Sequence, residues 1–264
     1  MIHLFAWSVL VAQNSDQIYF ETKVTYSVDI IGDSTNLDKT YNEDCLLFIN
    51  DKLSLSESKN QFVDPTSNDE DILNRLTKGV RHLTWTILKS EEDITVYDSF
   101  SSILEEKGNI RFSYKEPNLL EWTIMDDTMT ISGLPCQKAT TNYGGRQWEA
   151  WFTLDVPVSS GPYKFGGLPG LIISISDTKK HWNFVMKEIE KKPSGYIVPV
   201  EIFKTFAKTT KEDFFKNKRY YVTNYMEISE ASGIDFINAE NRAIIKRNVD
   251  MGFKSRSNWI ELYP

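Results

Sequence analysis

The sequence predicts a mainly β (α+β) chain, an antiparallel meander sheet with one inserted helix and a helical C-terminal extension. Three observations predict it. Apolar and polar residues alternate with a period of two through most of the first 190 residues, short turn signals separate these runs, and after Pro199 the spacing becomes helical. Period two puts one face of each run against a core, and turns of two or three residues permit only antiparallel neighbours, because parallel strands need long crossovers.

The elements follow in order. Residues 1–13 open on an apolar, uncharged run containing Ile2, Leu4, Phe5, Ala6, Trp7, Val9, Leu10, Val11 and Ala12, with a small residue before Gln13. It is about half the length of a membrane span, and it reads as a signal peptide removed near Gln13 or Asn14. The first basic residue is Lys23, so no positive segment precedes the run here; either the true start lies upstream or the run is a buried first strand. Residues 18–30 then alternate for the most part, with Phe20, Val24, Tyr26, Val28 and Ile30 on one face. The same pattern returns at residues 45–49, 94–98, 110–114, 120–124, 129–131 and 146–154, with turns expected at Asp126-Asp127 and Tyr143-Gly144-Gly145. Residues 69–78 form the inserted helix, capped by Ser67 or Asn68 and stopped by Gly79, with Ile72, Leu73 and Leu76 on one side.

After Pro199, Thr210-Lys-Glu-Asp213 resembles a capping box, and Phe214, Phe215, Tyr221, Val222 and Tyr225 follow at helical spacing. A second helix is predicted over residues 238–249. The domains are therefore a β-sheet domain over 14–199 and a helical extension of that domain over 200–264. These helices either dock on the sheet or stand away from it.

Charge and composition narrow the function. Acidic residues outnumber basic ones 37 to 30, for a net charge of −7. That is the wrong sign for a nucleic-acid binder, which must neutralise phosphates. The imbalance is uneven, −11 over residues 1–190 and +4 over 191–264. No run is long enough to span a membrane. Cys45 and Cys136 are the only cysteines; export would permit a disulfide between them, and two separate buried thiols are the alternative.

The catalytic inventory is thin. His82 and His181 are the histidines beyond the leader, and no metal-ligand spacing occurs, so neither metal nor cofactor is expected. Cys136 and His181 could meet as a nucleophile pair, though nothing in the sequence signals an activated thiol, and the carboxylates of Glu91-Glu92-Asp93 and Asp126-Asp127 read better as solvated turn charges than as acid/base pairs. The chain is read as no enzyme.

One segment stands out. Gly161-Pro162-Tyr163-Lys164-Phe165-Gly166-Gly167-Leu168-Pro169-Gly170-Leu171-Ile172 sets two prolines and four glycines among apolar residues, between strands at 147–154 and 171–176. Fixed φ at the prolines and free φ at Gly167 and Gly170 specify a rigid, buried wide turn. Beside it, Arg146 and Asp155 bracket the preceding strand. They are either two solvated charges, or Asp155 accepts backbone N–H bonds from residues 161–167 and locks the loop.

Gly167-Leu168-Pro169-Gly170-Leu171-Ile172 resembles the signature of the GLPGLI family of exported Gram-negative bacterial proteins. Cys136-Gln-Lys138-Ala139, Gly145-Arg146, Trp148-Glu-Ala150-Trp151, Asp155-Val-Pro157 and residues 161–165 are similar to that family's central block. Asn258-Trp-Ile260-Glu261-Leu262 resembles its closing segment. The resemblance implies export to the periplasm or cell envelope and carries over no catalytic residue. The central pattern is also similar to the LolA-like curved half-barrels of periplasmic lipoprotein carriers, a likeness of fold that is weak evidence for function.

The expected function is therefore a non-catalytic envelope binding protein. Its curved sheet would hold an apolar small molecule, lipid or peptide against Trp122, Trp148, Trp151, Tyr163 and Phe165. The alternative is an interaction or assembly protein that presents the 161–172 loop or a strand edge to an outer-membrane partner.

Overall fold

A computed structural model describes residues 17–59, 82–100, 110–231, 233 and 238–262. The leader expected at 1–13 and the helix expected at 69–78 lie outside the described residues. Twelve strands are described: β1 (Gln17–Ile31), β2 (Thr40–Ile49), β3 (Ser54–Ser58), β4 (Trp85–Lys89), β5 (Asp93–Phe100), β6 (Ile110–Pro117), β7 (Thr123–Ile131), β8 (Leu134–Tyr143), β9 (Arg146–Thr153), β10 (Leu171–Asp177), β11 (Trp182–Pro199) and β12 (Ala207–Lys208). They form one sheet in the order β12-β6-β5-β4-β3-β2-β1-β11-β10-β9-β8-β7. Two antiparallel meanders thus meet where β1 pairs with β11, and only the short β12 lies parallel to its neighbour.

Topology forces this sheet to curl. β6 and β7 are ten strand spacings apart in the order, which is about 48 Å on a flat sheet. The five residues between them reach at most about 20 Å. The two ends must therefore approach one another, and contacts across the gap show it. Tyr143 Oη of β8 donates to Glu116 Oε1 of β6 at 3.0 Å, and Thr141 Oγ1 donates to the Glu121 carbonyl at 2.6 Å. Mainly β, open and curved, the sheet has the fold class the alternation predicts.

The concave face carries the main core. Val24, Tyr26, Val28 and Ile30 of β1 point there with Ile87, Trp148, Ala150, Phe152, Ile175 and Phe184. A register break between Phe20 and Thr22 switches faces, so Phe20 joins Leu46, Phe48, Leu55 and Val198 in a second cluster. Phe203, in the 3-10 turn Val200–Thr205, packs on that cluster. An inserted irregularity of this kind moves every later side chain to the opposite face.

The C-terminal extension docks. Helix α1 (Lys211–Ala231) begins as the capping box predicts, with Thr210 Oγ1 accepting from the Asp213 N–H at 3.1 Å. Phe214, Phe215, Tyr221, Tyr225 and Met226 are buried beneath it. Helix α2 (Ala239–Lys254) is capped by Asn238, whose side chain accepts from the Asn241 N–H. The charge asymmetry of the sequence acquires a meaning here. The basic extension meets the acidic sheet through Lys211 on Glu116 at 2.7 Å and Lys218 on Asp98 at 3.4 Å.

One turn was misplaced. Residues 120–124 and 129–131 do not form two strands around an Asp126-Asp127 turn; β7 runs unbroken from Thr123 to Ile131. Its register against β8 slips between Ile124 and Thr128, so the aspartates sit in a bulge. A bulge on an edge strand tolerates charges just as a turn does. The Tyr143-Gly144-Gly145 turn is where it was expected, with φ of 59° and 74° at the two glycines, the left-handed pair a two-residue hairpin requires.

Candidate functional site

Between β9 and β10 the chain turns inward across the concave face. Tyr163, Phe165 and Leu168 are buried in the main core, and from Ser160 to Ile172 only Gly167 and Pro169 are exposed. The receiving surface is β3, whose inward residues are small and hydroxylated. Ser56 Oγ accepts from the Tyr163 N–H at 2.9 Å, and Ser54 Oγ lies 3.1 Å from Ser160 Oγ. Tyr26 Oη donates to the Ile172 carbonyl and Trp122 Nε1 to the Gly166 carbonyl, at 2.7 and 2.8 Å. Two glycines are dictated by close approach. A Cβ on Gly170 would sit 1.9 Å from the Thr153 carbonyl oxygen, and one on Gly161 would meet the Ile172 side chain at 2.8 Å. Tyr163 itself holds φ +54°, a left-handed conformation that an aromatic residue adopts only when its surroundings compel it.

Beneath the loop lies a cluster of four charges. Lys164, whose side chain is fully buried, meets Glu261 and Glu116, and Lys211 meets the same two carboxylates at 2.7 Å each. Three tyrosines close around it. Tyr163 Oη donates to Glu261, Tyr143 Oη to Glu116, and Lys164 Nζ donates to Tyr114 Oη at 3.1 Å. Burial alone would raise the Glu261 carboxyl, but Lys164 and Lys211 outweigh it and hold the group down near about 2. Two cations and two anions balance, which is how ions tolerate so little water.

A third cation faces carbonyls rather than carboxylates. Lys89, on β4, is fully buried and donates to the Gly161 and Phe165 carbonyls at 2.7 and 2.6 Å. Burial brings its ammonium down to about 7.

Arg146 completes the arrangement. Opening β9, it is buried, pairs with Asp177 at 3.1 Å, and donates to Asn258 Oδ1 and to the carbonyls of Trp259 and Ile260. The strap 258–262 is thereby tied into the same core that holds the loop. Gly144 and Gly145 lie against it, and a Cβ at either would meet Glu261 or Leu262 at 2.7 or 3.1 Å. The loop, the hairpin and the strap form one interlocked unit.

The residues predicted to line a ligand site are placed as follows. Trp148, Tyr163 and Phe165 fill the core, with Trp148 and Phe165 ring centroids 4.6 Å apart; Trp122 and Trp151 are half-buried against it. The concavity that would have received a ligand is occupied by the chain's own loop. Pro162, Gly167, Leu168, Pro169, Gly170, Leu171 and Ile172 form the expected buried wide turn. Of the two readings of Arg146 and Asp155, the solvated one holds for Asp155 alone, and the locking carboxylate is not found. Asp155 is exposed and its N–H donates to Thr153 Oγ1, while Arg146 is the buried residue that locks. The sequence reading missed Lys164, Glu261 and Lys89. A signal existed for the first two, since each is a lone charge inside an apolar segment, Tyr-Lys-Phe and Ile-Glu-Leu, and the two signs are opposite.

Other candidates find structural partners. The Cys45 and Cys136 thiols are both free and buried, and burial raises them, Cys45 to about 12. His181 sits beside Arg146, and Cys136 donates to the Leu134 carbonyl, so the proposed pair is not assembled. His82 bridges Glu43 Oε1 at 3.1 Å and the Ser255 carbonyl at 3.0 Å. Asp93 pairs with Lys115 at an exposed hairpin. Among the described residues, no group of three or more His, Cys, Asp or Glu is placed to hold a metal, and no helix is long and apolar enough to cross a membrane.

Comparison with known proteins places the interlocked unit in a wider setting. Residues 144–174 match a family described as a protein of unknown function (Porph_ging), a stretch that holds Arg146 and the whole loop. No curated protein matches the chain. Among solved structures, PNGF-II in space group P21 is similar over 75% of this chain and 32% of that one, at 14% identity and a TM-score of 0.52. PNGF-II in space group C2 is similar over 73% and 31%, at 16% identity and a TM-score of 0.49. The chain thus spans about a third of the solved structures it matches, and the likeness at 0.52 shows a shared β-rich fold.

Proposed function

We propose that the chain is an exported, non-catalytic cell-envelope protein of the GLPGLI type that acts by pairing its free edge strand, β7, with an extended segment of an envelope partner. The observation that carries this reading is the contrast between the sheet's interior and its edge. Among the described residues, the loop 160–172 packs into the concave face where an acyl chain would lie. β7 closes the sheet order with no neighbour beyond it among the described residues, and eight of its nine residues are exposed. Ile124, Met125 and Met129 stand on that strand at 48%, 38% and 47% exposure.

The Asp126-Asp127 bulge guards the middle of the edge against indiscriminate pairing, while Thr128–Ile131 runs in unbroken register with β8 and offers a straight stretch. Strand addition would take its affinity from main-chain bonds and its selectivity from Met129 and Ile131. A photo-crosslinking residue at Thr130, placed in the native host, tests the reading. Crosslinking to one envelope protein, abolished by Met129→Lys with folding intact, is expected. Stoichiometric lipid in native mass spectra of the purified chain, with no crosslink, would overturn it.

A further inference from the structure

The 258–262 strap is held as a peptide ligand is held. Five bonds reach its main chain. Arg146 donates to the Trp259 and Ile260 carbonyls, Trp182 Nε1 donates to the Asn258 carbonyl, the Asn258 N–H donates to the Gly32 carbonyl, and the Leu262 N–H donates to the Gly144 carbonyl. Such bonds grip any extended segment of the right shape.

Two side chains then add selection. Asn258 is read on both atoms of its amide, Oδ1 accepting from Arg146 at 2.6 Å and Nδ2 donating to the Ile31 carbonyl at 2.7 Å. Glu261 enters a pocket of Lys164, Lys211 and Tyr163. The groove wall is cut to the strap, because Gly144 and Gly145 have no room for a Cβ beside it. The tether is weaker than the grip. Helix α2, which leads into the strap, buries no residue of its own, whereas Asn258, Ile260 and Glu261 of the strap are all buried.

We propose that this groove, built by the Gly144-Gly145-Arg146 hairpin, Lys164 and Trp182, is a peptide-binding site. Its ligand class is an extended segment carrying Asn and, three residues later, Glu, and the chain's own strap is its resident occupant. A peptide supplied in trans makes the same bonds once the resident strap lets go. The site is separate from the β7 edge and does not depend on it. The resident strap competes at the high effective concentration of a tethered ligand, so the intact chain binds such a peptide weakly. Weakening the strap without touching the groove opens the site.

The test uses the full chain and a fluorescein-labelled synthetic peptide of sequence Ser-Asn-Trp-Ile-Glu-Leu, followed by fluorescence anisotropy. The Asn258→Ala/Glu261→Gln chain is expected to bind it at least about tenfold tighter than the wild type. A peptide with Gln in place of Glu should lose about tenfold or more, the loss for a bond to a charged group, and adding Arg146→Gln to the chain should abolish binding. Asn258→Ala alone, which keeps the Glu261 ion pairs, serves if the double variant fails to fold by near-ultraviolet circular dichroism. A folded strap variant that does not bind the peptide, or that binds the Glu and Gln peptides equally, overturns the proposal.

Discussion

Two buried lysines hold the 161–172 loop, and they are satisfied in different ways. Lys164 lies on the loop and is matched by Glu116 and Glu261, with three tyrosines filling the remaining space. Lys89 lies on the sheet and faces two loop carbonyls. A carbonyl offers a partial charge where a carboxylate offers a whole one, so burial outweighs the attraction at Lys89 and its ammonium falls to about 7. The lesson concerns what each contact does. Lys164 binds the loop to the strap through a matched ion pair, whereas Lys89 holds the loop carbonyls with N–H donors that it keeps when its ammonium gives up a proton near pH 7.

The largest effect is expected at the charge cluster. Glu261→Gln leaves the buried Lys164 with Glu116 alone, and breaking a buried pair in this way costs about 3–5 kcal/mol. Urea titration at pH 7 checks the size. The acid limb checks the cause. Because the Glu261 carboxyl is held near about 2 against an ordinary 4.5, its contribution is complete above pH 4.5 and is lost as pH falls toward 2. The variant should lack that part of the acid loss. Replacing both Lys164 and Glu261 by Met should recover much of the stability, since an apolar pair leaves no orphaned charge. A double variant as unstable as Glu261→Gln would mean that packing, not charge, fixes the loop.

Arg146→Gln comes next, at about 3 kcal/mol, because it strands the buried Asp177 and frees the Trp259 and Ile260 carbonyls. Hydrogen exchange at the Leu262 amide, which donates to the Gly144 carbonyl, should quicken in step. Unchanged exchange there would separate Arg146 from the strap and leave it a partner of Asp177 only.

How much of this was legible follows from how far apart the partners are. β1 and β9 announce themselves, because each is buried on one face and alternates accordingly. β3 does not. Its Ser-Leu-Ser-Glu-Ser reads as a polar segment, yet all five residues are buried, since the loop that covers Ser54 and Ser56 arrives from more than 100 residues away. The charge cluster is hidden for the same reason, with Lys164 and Glu261 97 positions apart. The glycines and prolines of the loop did disclose a buried turn, because backbone constraints are local. What the turn holds is a tertiary fact, and the local pattern offers only Asp155, the nearer charge, as a candidate lock beside the reading of two solvated charges.

Lys89→Met sharpens the comparison by pH. The folded-state value of about 7 lies below the ordinary 10.5, so between these limits the unfolded chain holds more protons and stability climbs as pH rises. The wild type should gain on the variant by about 1.4 kcal/mol per pH unit from about pH 7.5 to 9.5. Below pH 7 the difference between the two should level off. Parallel stability curves over pH 6 to 9.5 would place the ammonium's proton elsewhere and remove the contrast between the two lysines.

Asp155→Asn is the smallest change and the sharpest contrast with Arg146. The two residues bracket one strand with opposite charges, and sequence position alone gives no reason to rank them. Their surroundings rank them. Asp155 is exposed, so water solvates its carboxylate in the folded and unfolded chain alike, and its backbone N–H, bonded to Thr153 Oγ1, is untouched by the substitution. Asparagine also keeps the size and one oxygen. The expected change is within about 0.5 kcal/mol, as for surface positions generally, and independent of salt between about 0.05 and about 0.5 M because no ion-pair partner of Asp155 lies among the described residues. A loss above about 1.5 kcal/mol by urea titration would mean that the carboxylate takes up loop N–H groups after all, and would return the lock to Asp155.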